Sequence, residues 1–441
     1  MKAIYFNDLR DLPNFGCRST GAALEEILAN NAITVDRVDG IDSVNNSGWD
    51  GYSNRAIGIG GLSITRRAYK KAWYSRRARP HLYNLVSKLD ALTGGIHDYI
   101  RETPTASIDL FLRLARQDSY FEALLKRFED ADIVVINGEG TLIFSNNTKR
   151  DALYLLFVIE LAQRLGKPVY LLNAMVTSCP YEPPTDSQLA QYAKTLNKCR
   201  HIAVREEQSL VYVKSIVTRA QVTLVPDALF TWHSRYRWYK ENAKEWGESS
   251  FFYCSEDHIR RAIKAPYVTL SASSSAWRYG VSGLNAYRSL VSAILGNGIN
   301  LVLVESCAGD GLLRTISEEL RIPLLTIDAP LDRFAGILSG SSLYISGRYH
   351  PAIASYCADV PCIFMGSNSH KTLSVQGVVG ISKPHEYSAA PNSEEIEAIV
   401  RKASAILSNG ENNADKYRPA PRAIERISAE IGKSYSSILS Q

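Results

Sequence analysis

The segment SGRYHPAIASY places Arg348 and His350 two residues apart, between an apolar run typical of a buried strand and a run typical of a helix. Backbone N–H groups at a helix start and a guanidinium can together bind an anion. An imidazole beside them can transfer a proton near neutral pH. We therefore predict an anion ligand at Arg348 and an acid/base group at His350, although an Arg-x-His triplet is by itself a weak signal.

Polar residues also follow other predicted strands, where ligands bind in open parallel sheets. Asp227 in VPDALF is either an acceptor ligand or a turn-stabilising aspartate, and His370 with Lys371 in NSHKT are either phosphate ligands or part of an ordinary surface loop. Glu139 in NGEGT is an acceptor ligand, a catalytic base, or a charge complement to a helix start. The spacing alone does not choose between these alternatives.

The elements that must position these residues alternate as strand, loop and helix. KAIYF, ADIVVI, PVYLLNA, HIAV and QVTLV are predicted strands of a first half, and YVTLSAS, INLVLVES, PLLTI, SLYISG and PCIFMG are predicted strands of a second. Helical runs of ten or more residues separate most of them, which indicates βαβ units and parallel sheets. We expect two Rossmann-type domains whose parallel sheets face a central cleft, plus a C-terminal helix that packs back.

The predicted boundaries follow from this rhythm. They are an N-terminal Rossmann-like domain at 1–230 with a basic, helical insertion at about 45–120, an aromatic linker at 231–265, a C-terminal Rossmann-like domain at 266–415, and a C-terminal helix at 416–441.

The composition is that of a soluble globular protein, with 441 residues, 45% hydrophobic and 22% charged, and a formal net charge of +5. Between Thr65 and Leu89 the chain carries eight lysines and arginines and no acidic residue, so the rest of the chain is slightly acidic. A globally basic nucleic-acid binder is therefore disfavoured. With Tyr69 and Trp73 at helical spacing, this segment is either a surface for an anionic membrane or a solvated helix face.

Several classes are excluded or made less favourable by what the sequence lacks. It has no G-x-G-x-x-G or Walker A motif, no Cys/His cluster at zinc spacing, no secretory signal, and no apolar stretch of membrane-spanning length. We expect a cytoplasmic protein with reduced, mostly buried cysteines and no metal site.

Five motifs in order resemble the polysaccharide pyruvyl transferase family: NFGCRSTGAAL, NGEGTL, VREEQSL, VPDALF and SGRYHPAIASYCADVPCIFMGSNSHKT. The similarity runs from about Lys2 to about Gly380, apart from the insertion and the linker. The resemblance implies a fold similar to GT-B glycosyltransferases. It also implies transfer of the enolpyruvyl unit of phosphoenolpyruvate onto sugar hydroxyls, giving a ketal and phosphate, with phosphoenolpyruvate as co-substrate and no other cofactor.

The resemblance also implies roles for individual residues. Arg348 and His350 match the family's Arg-x-His, and Arg205 matches the arginine of its Arg-Asp-x-x-Ser element. Three departures are Glu206 in place of aspartate, Cys17 in place of the aspartate of Asn-x-Gly-Asp, and Glu139 within the glycine-rich loop. Our assignments are His350 and Glu139 to catalysis, Arg348, Arg205, Asn14, Gly16, Gly138, Gly140, His370 and Lys371 to donor binding, and Asp227 to acceptor binding.

Two other functions stay open. The pair His350-Pro351 resembles a motif of GT-B sialyltransferases, which makes a glycosyltransferase using a nucleotide-activated, CMP-linked acidic sugar the alternative. A carbohydrate-binding protein without catalysis is the other. For partners we predict phosphoenolpyruvate and a sugar or lipid-linked saccharide, no nucleic acid, and peripheral contact of residues 65–89 with the inner face of the membrane.

Overall fold

The computed structural model describes residues 1–39, 79–92, 99–117, 119–242, 256–264, 266–408, 415–420 and 422–440. The chain forms two compact units. The first consists of Met1–Asp11 and Leu28–Leu224, and the second of Leu12–Ile27 and Val225–Gln441. Helix α1 (Phe15–Asn30) therefore contributes most of its length to the second unit, although it connects two strands of the first.

The first unit is built on a six-stranded parallel sheet with the order β2-β1-β3-β4-β5-β6. Its central strands are rich in Val, Ile and Leu and are buried along their length, as expected for a parallel sheet covered on both faces. The strands are β1 (Lys2–Asp8), β2 (Thr34–Asp39), β3 (Ile133–Phe144), β4 (Val169–Ser178), β5 (His201–Val204) and β6 (Gln221–Leu224).

Six helices of the first unit lie within the described residues. The helix that contains ALYLLFVIELA is buried in the core over most of its length. Over the part of the chain that the structure describes, no helix is long and apolar enough to cross a membrane. The helices are α2 (Pro80–Leu92), α3 (Pro104–Ala115), α4 (Ser119–Asp130), α5 (Arg150–Arg164), α6 (Asp186–Leu196) and α7 (Glu207–Ile216).

The second unit has a five-stranded parallel sheet with the order β11-β10-β7-β8-β9. Its strands are β7 (Tyr267–Ser273), β8 (Asn300–Val304), β9 (Leu324–Leu325), β10 (Leu343–Gly347) and β11 (Cys362–Phe364). Its helices are α8 (His233–Glu241), α9 (Glu256–Lys264), α10 (Gly280–Gly296), α11 (Leu312–Leu320), α12 (Leu331–Ser339), α13 (Tyr349–Cys357), α14 (Lys371–Val378), α15 (Ser393–Ser408) and α16 (Ala423–Leu439). The predicted α/β class with two parallel sheets is confirmed.

Some segments differ from the sequence prediction. Residues 137–144, predicted as a loop, continue β3 beyond a register shift between Glu139 and Leu142. The predicted linker contains two helices, α8 and α9. Helix α8 packs on α12 and α13. Helix α16 packs on α8 and on the 3₁₀ helix Ala228–Trp232, all within the second unit. Most of the basic segment 65–89, including Tyr69 and Trp73, lies outside the described residues.

Candidate active site

His350 lies in the first turn of α13 in the second unit, where Asp227 and Gly16 lie against its ring. Its Nε2 atom lies 3.4 Å from Oδ2 of Asp227. Asp227 is fully buried, and its Oδ1 accepts hydrogen bonds from the Thr20 hydroxyl (2.7 Å) and from the backbone N–H of Leu229 (2.9 Å). On the other side, a Cβ added to Gly16 would lie 2.0 Å from His350 Nδ1, so only glycine fits beside the ring.

Two predicted donor-binding residues thus have visible structural roles in the second unit. The Asn14 side-chain oxygen accepts hydrogen bonds from the N–H groups of Gly16 (2.9 Å) and Cys17 (3.3 Å), which caps the start of α1. This cap sets the backbone of Gly16 against the imidazole. Asn14 and Gly16 therefore position His350, whether or not they also contact a ligand.

Arg348 precedes α13 and is held by a buried carboxylate. Its Nε lies 3.1 Å from Asp310 Oδ1, and its Nη2 donates to the same oxygen. The other oxygen of Asp310 accepts from the N–H groups of Ser306 (2.8 Å) and Cys307 (3.3 Å). The Arg348 side chain is 13% exposed, so part of it is accessible to an anion.

The electrostatics of this pair follow from burial. Burial acts to lower the pKa of Arg348, but the Asp310 carboxylate outweighs it and the pKa is raised, so Arg348 stays charged. Burial raises the pKa of Asp310, while Arg348 and the two N–H groups act in the opposite direction. A cation held in this way is a fixed electrostatic feature of the site.

Lys371 begins α14, with His370 as the preceding cap residue. Burial raises the pKa of the Cys307 thiol, and Asp310 adds to this, while Arg348, the N–H of Gly309 and Lys371 lower it. A Cβ on Gly309 would lie 3.3 Å from Arg348 Nη2 and 3.5 Å from Cys307 Sγ, so these two side chains lie close together. His350 follows Arg348 by two residues.

In the first unit, Glu139 within β3 and Arg205 directly after β5 form a buried pair. Arg205 Nη1 lies 3.4 Å from Glu139 Oε2, and Arg205 Nε lies 3.7 Å from Glu206 Oε2. Glu206 also accepts a hydrogen bond from the Ser209 hydroxyl. The serine of the VREEQSL motif therefore holds a carboxylate that faces the arginine.

Three neighbouring strands of the first unit each contain a residue with a strained backbone conformation. Asn7, Glu139 and Asn173, on the adjacent strands β1, β3 and β4, all have positive φ angles (62°, 45° and 52°). Such conformations cost about 1–3 kcal/mol each and cluster at functional sites. Beside them, the buried amide of Asn137 has no hydrogen-bond partner among the described residues for either its nitrogen or its oxygen.

The two glycines of the NGEGT motif differ in the space that a side chain would have at each position. A Cβ on Gly138 would lie 2.4 Å from the Cβ of Ala174, so Gly138 is required by the close approach of β3 and β4. A Cβ on Gly140 would meet only ordinary contacts, the nearest at 3.8 Å from Arg205 Nη2. Gly140 therefore leaves space next to the arginine.

Sequence reasoning missed Asp310, Thr20 and Cys307. Glu305 follows β8 directly, and this position predicts a functional carboxylate. Both of its oxygens instead accept hydrogen bonds from Arg314 (2.9 and 2.8 Å). Asp310 lies five residues further, in ESCAGDG, and only the turn returns it to Arg348. Among the described residues, no group of three His, Cys, Asp or Glu side chains could hold a metal ion.

Two α/β units, each built on a parallel sheet, define a GT-B-like fold. The chain belongs to the polysaccharide pyruvyl transferase family, whose sequence pattern matches residues 14–369. It is a transferase of polysaccharide biosynthesis, which confirms the resemblance seen in the motifs.

Solved structures agree on the fold. The chain is similar to UDP-GlcNAc 2-epimerase from Neisseria meningitidis bound to UDP-GlcNAc, with 11% identity, 100% of both chains covered and a TM-score of 0.53. It is also similar to α,α-trehalose 6-phosphate synthase from Burkholderia multivorans, with 10% identity over 99% of this chain and 98% of that chain and a TM-score of 0.53. At these identities the likeness concerns the fold. No curated protein is significantly similar in sequence.

Proposed function

We propose that this protein transfers the enolpyruvyl unit of phosphoenolpyruvate to two hydroxyls of a sugar, forming a pyruvate ketal and releasing phosphate. The observation that carries the proposal is the pairing of Arg348 and His350 with the buried carboxylates of Asp310 and Asp227. A fixed cation and an oriented imidazole two residues apart suit a donor that carries two anionic groups and must accept a proton.

In this proposal, cationic residues of the second unit bind the donor. Arg348 supplies a charged and partly exposed side chain, the N-terminus of α13 contributes N–H groups, and Lys371 at the start of α14 is proposed to add a second positive charge. The phosphate and carboxylate of phosphoenolpyruvate each suit such ligands. Asp310 contributes by holding the Arg348 fork in one orientation, which reduces the entropy lost on binding.

In this proposal, His350 transfers the proton. For Asp227 we propose a positioning role rather than the direct acceptor contact predicted from the sequence, because its carboxylate is fully buried and bonded to Thr20 and Leu229. A carboxylate facing Nε2 fixes the orientation of the imidazole, as in other His–Asp pairs. His350 can then both donate and accept a proton.

The chemical steps balance without an added oxidant or reductant. A proton added to the methylene carbon makes a methyl group and leaves an oxocarbenium-like carbon, which a first sugar hydroxyl attacks as it loses its proton. The carbon–oxygen bond to phosphate then breaks, with the electron pair leaving on phosphate. A second sugar hydroxyl attacks the same carbon and loses its proton, which completes the ketal. We propose no metal or redox cofactor.

In the first unit we propose Arg205 as a further anion ligand. The Glu139 carboxylate lies 3.4 Å from the Arg205 guanidinium, which supports a role for this carboxylate in charge pairing or acceptor binding. Gly140 leaves room for a ligand beside the guanidinium.

The deciding experiment incubates the purified protein with a panel of sugar acceptors and either phosphoenolpyruvate or CMP-sugars, and follows the release of phosphate or CMP. We expect phosphate release that falls about 100- to 10,000-fold in His350→Ala, since general acid/base help is of that size. The matched control is His385→Ala, an exposed histidine of the same unit. CMP release without consumption of phosphoenolpyruvate would establish the glycosyltransferase instead, and unchanged turnover in His350→Ala would refute the role of His350.

For location, we propose a cytoplasmic enzyme of cell-envelope or exopolysaccharide synthesis that contacts the inner face of the membrane through residues 65–89 and a lipid-linked acceptor. The support is the basic and aromatic composition of that segment. Co-sedimentation with anionic liposomes tests it. Unchanged binding after replacement of Arg66, Arg67, Lys70 and Lys71 by glutamine would count against it.

A further inference from the structure

An exposed aromatic loop follows β7 in the second unit. We define it as residues 276–282, which begin with the 3₁₀ helix Ala276–Tyr279 and enter α10. Trp277 is 64% exposed, Tyr279 48% and Val281 74%. Large aromatic side chains are seldom left this open, and clusters of them on a surface mark binding sites.

The aromatic loop is rigid at its base. The Ser273 hydroxyl donates to the carbonyl of Gly366, and the N–H of Ser275 donates to the Ser273 hydroxyl (3.0 Å). The N–H of Asn368 donates to the Ser274 hydroxyl (3.0 Å). The aromatic rings are therefore presented by a fixed turn, which lowers the entropy lost when a ligand binds.

These same hydrogen bonds place the aromatic loop beside the predicted donor-binding residues. Gly366 and Asn368 belong to the loop that leads into Lys371, and β7 pairs with β10, which ends at Gly347, next to Arg348. Ser273 and Gly347 are so close that a Cβ on Gly347 would lie 2.8 Å from Ser273 Cβ. The aromatic loop is thus continuous with the edge that carries Arg348.

The size and chemistry of the aromatic loop favour a sugar over a protein partner or an anionic membrane as its ligand. Three exposed side chains offer a few hundred Å², less than the roughly 800 Å² that each partner buries in a standard protein interface. One arginine, Arg278, whose Cζ lies 5.7 Å from the Trp277 ring centre, gives little of the basic charge that an anionic membrane needs. Sugar rings have an apolar C–H face that stacks on aromatic rings and a rim of hydroxyls for polar groups such as those of Tyr279 and Ser282.

We propose that the aromatic loop is a subsite for the saccharide acceptor, where Trp277 and Tyr279 stack against sugar units beyond the one that reacts. That this saccharide is the acceptor rests on the proposed function. That the aromatic loop binds a saccharide does not rest on it. An enzyme with this subsite prefers oligosaccharide acceptors over monosaccharides.

The first test measures binding without catalysis. The full-length protein, Trp277→Ala/Tyr279→Ala and the control Trp238→Ala, which is 51% exposed in the same unit, are applied to an array of hexose, hexosamine and uronic acid oligosaccharides, and bound glycans are titrated by calorimetry. We expect the double variant to weaken binding about tenfold, since each stacked aromatic contributes about 0.5–1.5 kcal/mol. The control is expected to bind as the parent does.

The second test measures phosphate release from phosphoenolpyruvate with oligosaccharide and monosaccharide acceptors. In the double variant we expect KM for the oligosaccharide to rise about tenfold, with kcat and the monosaccharide rate unchanged. Loss of glycan binding in the double variant of a protein that consumes no phosphoenolpyruvate would sustain the subsite and refute the proposed function. A parent protein that binds no glycan, equal glycan binding by the double variant, or a double variant that instead loses vesicle binding or self-association would overturn the subsite.

Discussion

The substitution Gly16→Ala tests how closely the structure holds His350. The added Cβ would lie 2.0 Å from Nδ1, 2.7 Å from Cγ and 3.0 Å from Cβ of the histidine. Because carbon atoms do not approach ring atoms within about 3 Å, the imidazole must retreat by about 1 Å, and a displacement of that size can lower a rate about 100-fold. The same movement changes the 3.4 Å separation between Nε2 and Asp227 Oδ2. We therefore expect kcat for phosphate release from phosphoenolpyruvate to fall about 100-fold, with about 1–3 kcal/mol lost in unfolding free energy.

Gly432→Ala is the matched control, because a Cβ at this position in α16 meets nothing within 4 Å. It should leave kcat unchanged and raise stability by up to about 1 kcal/mol, the difference in helix propensity. Full activity in a folded Gly16→Ala protein would refute the argument that close packing holds the ring, since the clash leaves no room for the imidazole where it is.

Three further predictions concern stability. Asp310→Asn leaves the largely buried guanidinium of Arg348 without a charged partner and is expected to cost about 3–5 kcal/mol in chemical denaturation, whereas a loss below 1 kcal/mol would show that the pair is not coupled. Burial lowers the pKa of His201 in the folded protein. The stability that the neutral imidazole contributes is therefore complete above its unfolded pKa of about 6.5 and is lost as the pH falls below it. His201→Gln should flatten the dependence of Tm on pH between 7 and 5, and an unchanged slope would contradict this. Gly347→Ala places a Cβ 2.8 Å from the carbonyl oxygen of Gly366, which is backbone and cannot swing away, so we expect a loss of about 1–3 kcal/mol in urea unfolding, and an unchanged midpoint would contradict the close packing.

Much of the fold is readable from the sequence because parallel sheets bury both faces of their strands. INLVLVES and SLYISG stand out as apolar runs for this reason, and they form β8 and β10. The end of β3 is not readable in the same way. NGEGT has the composition of a loop, yet it continues the strand because Glu139 adopts a positive φ angle and the register shifts after it.

The candidate site is readable where the chemistry lies next to a strand. Arg348 and His350 follow β10 directly, so their positions are predictable from the strand itself. Asp310 and Thr20 are not, because their side chains act through contacts with residues 38 and 207 positions away in the sequence. Strand position even favours Glu305 over Asp310, although Glu305 holds Arg314 in a separate ion pair.

The division of α1 between the units has a consequence for how the protein is made. Residues 12–27 leave the ribosome early, but their partners in the second unit come late: the N–H of Phe15 donates to the carbonyl of Ser306, its ring stacks on Phe334, and Gly16 packs on His350. The first segment of this unit must therefore wait through the synthesis of some two hundred intervening residues before it can pack. A chain released before residue 350 lacks the partner of Gly16, so the packing around the proposed catalytic histidine forms only after about four-fifths of the 441 residues have been made.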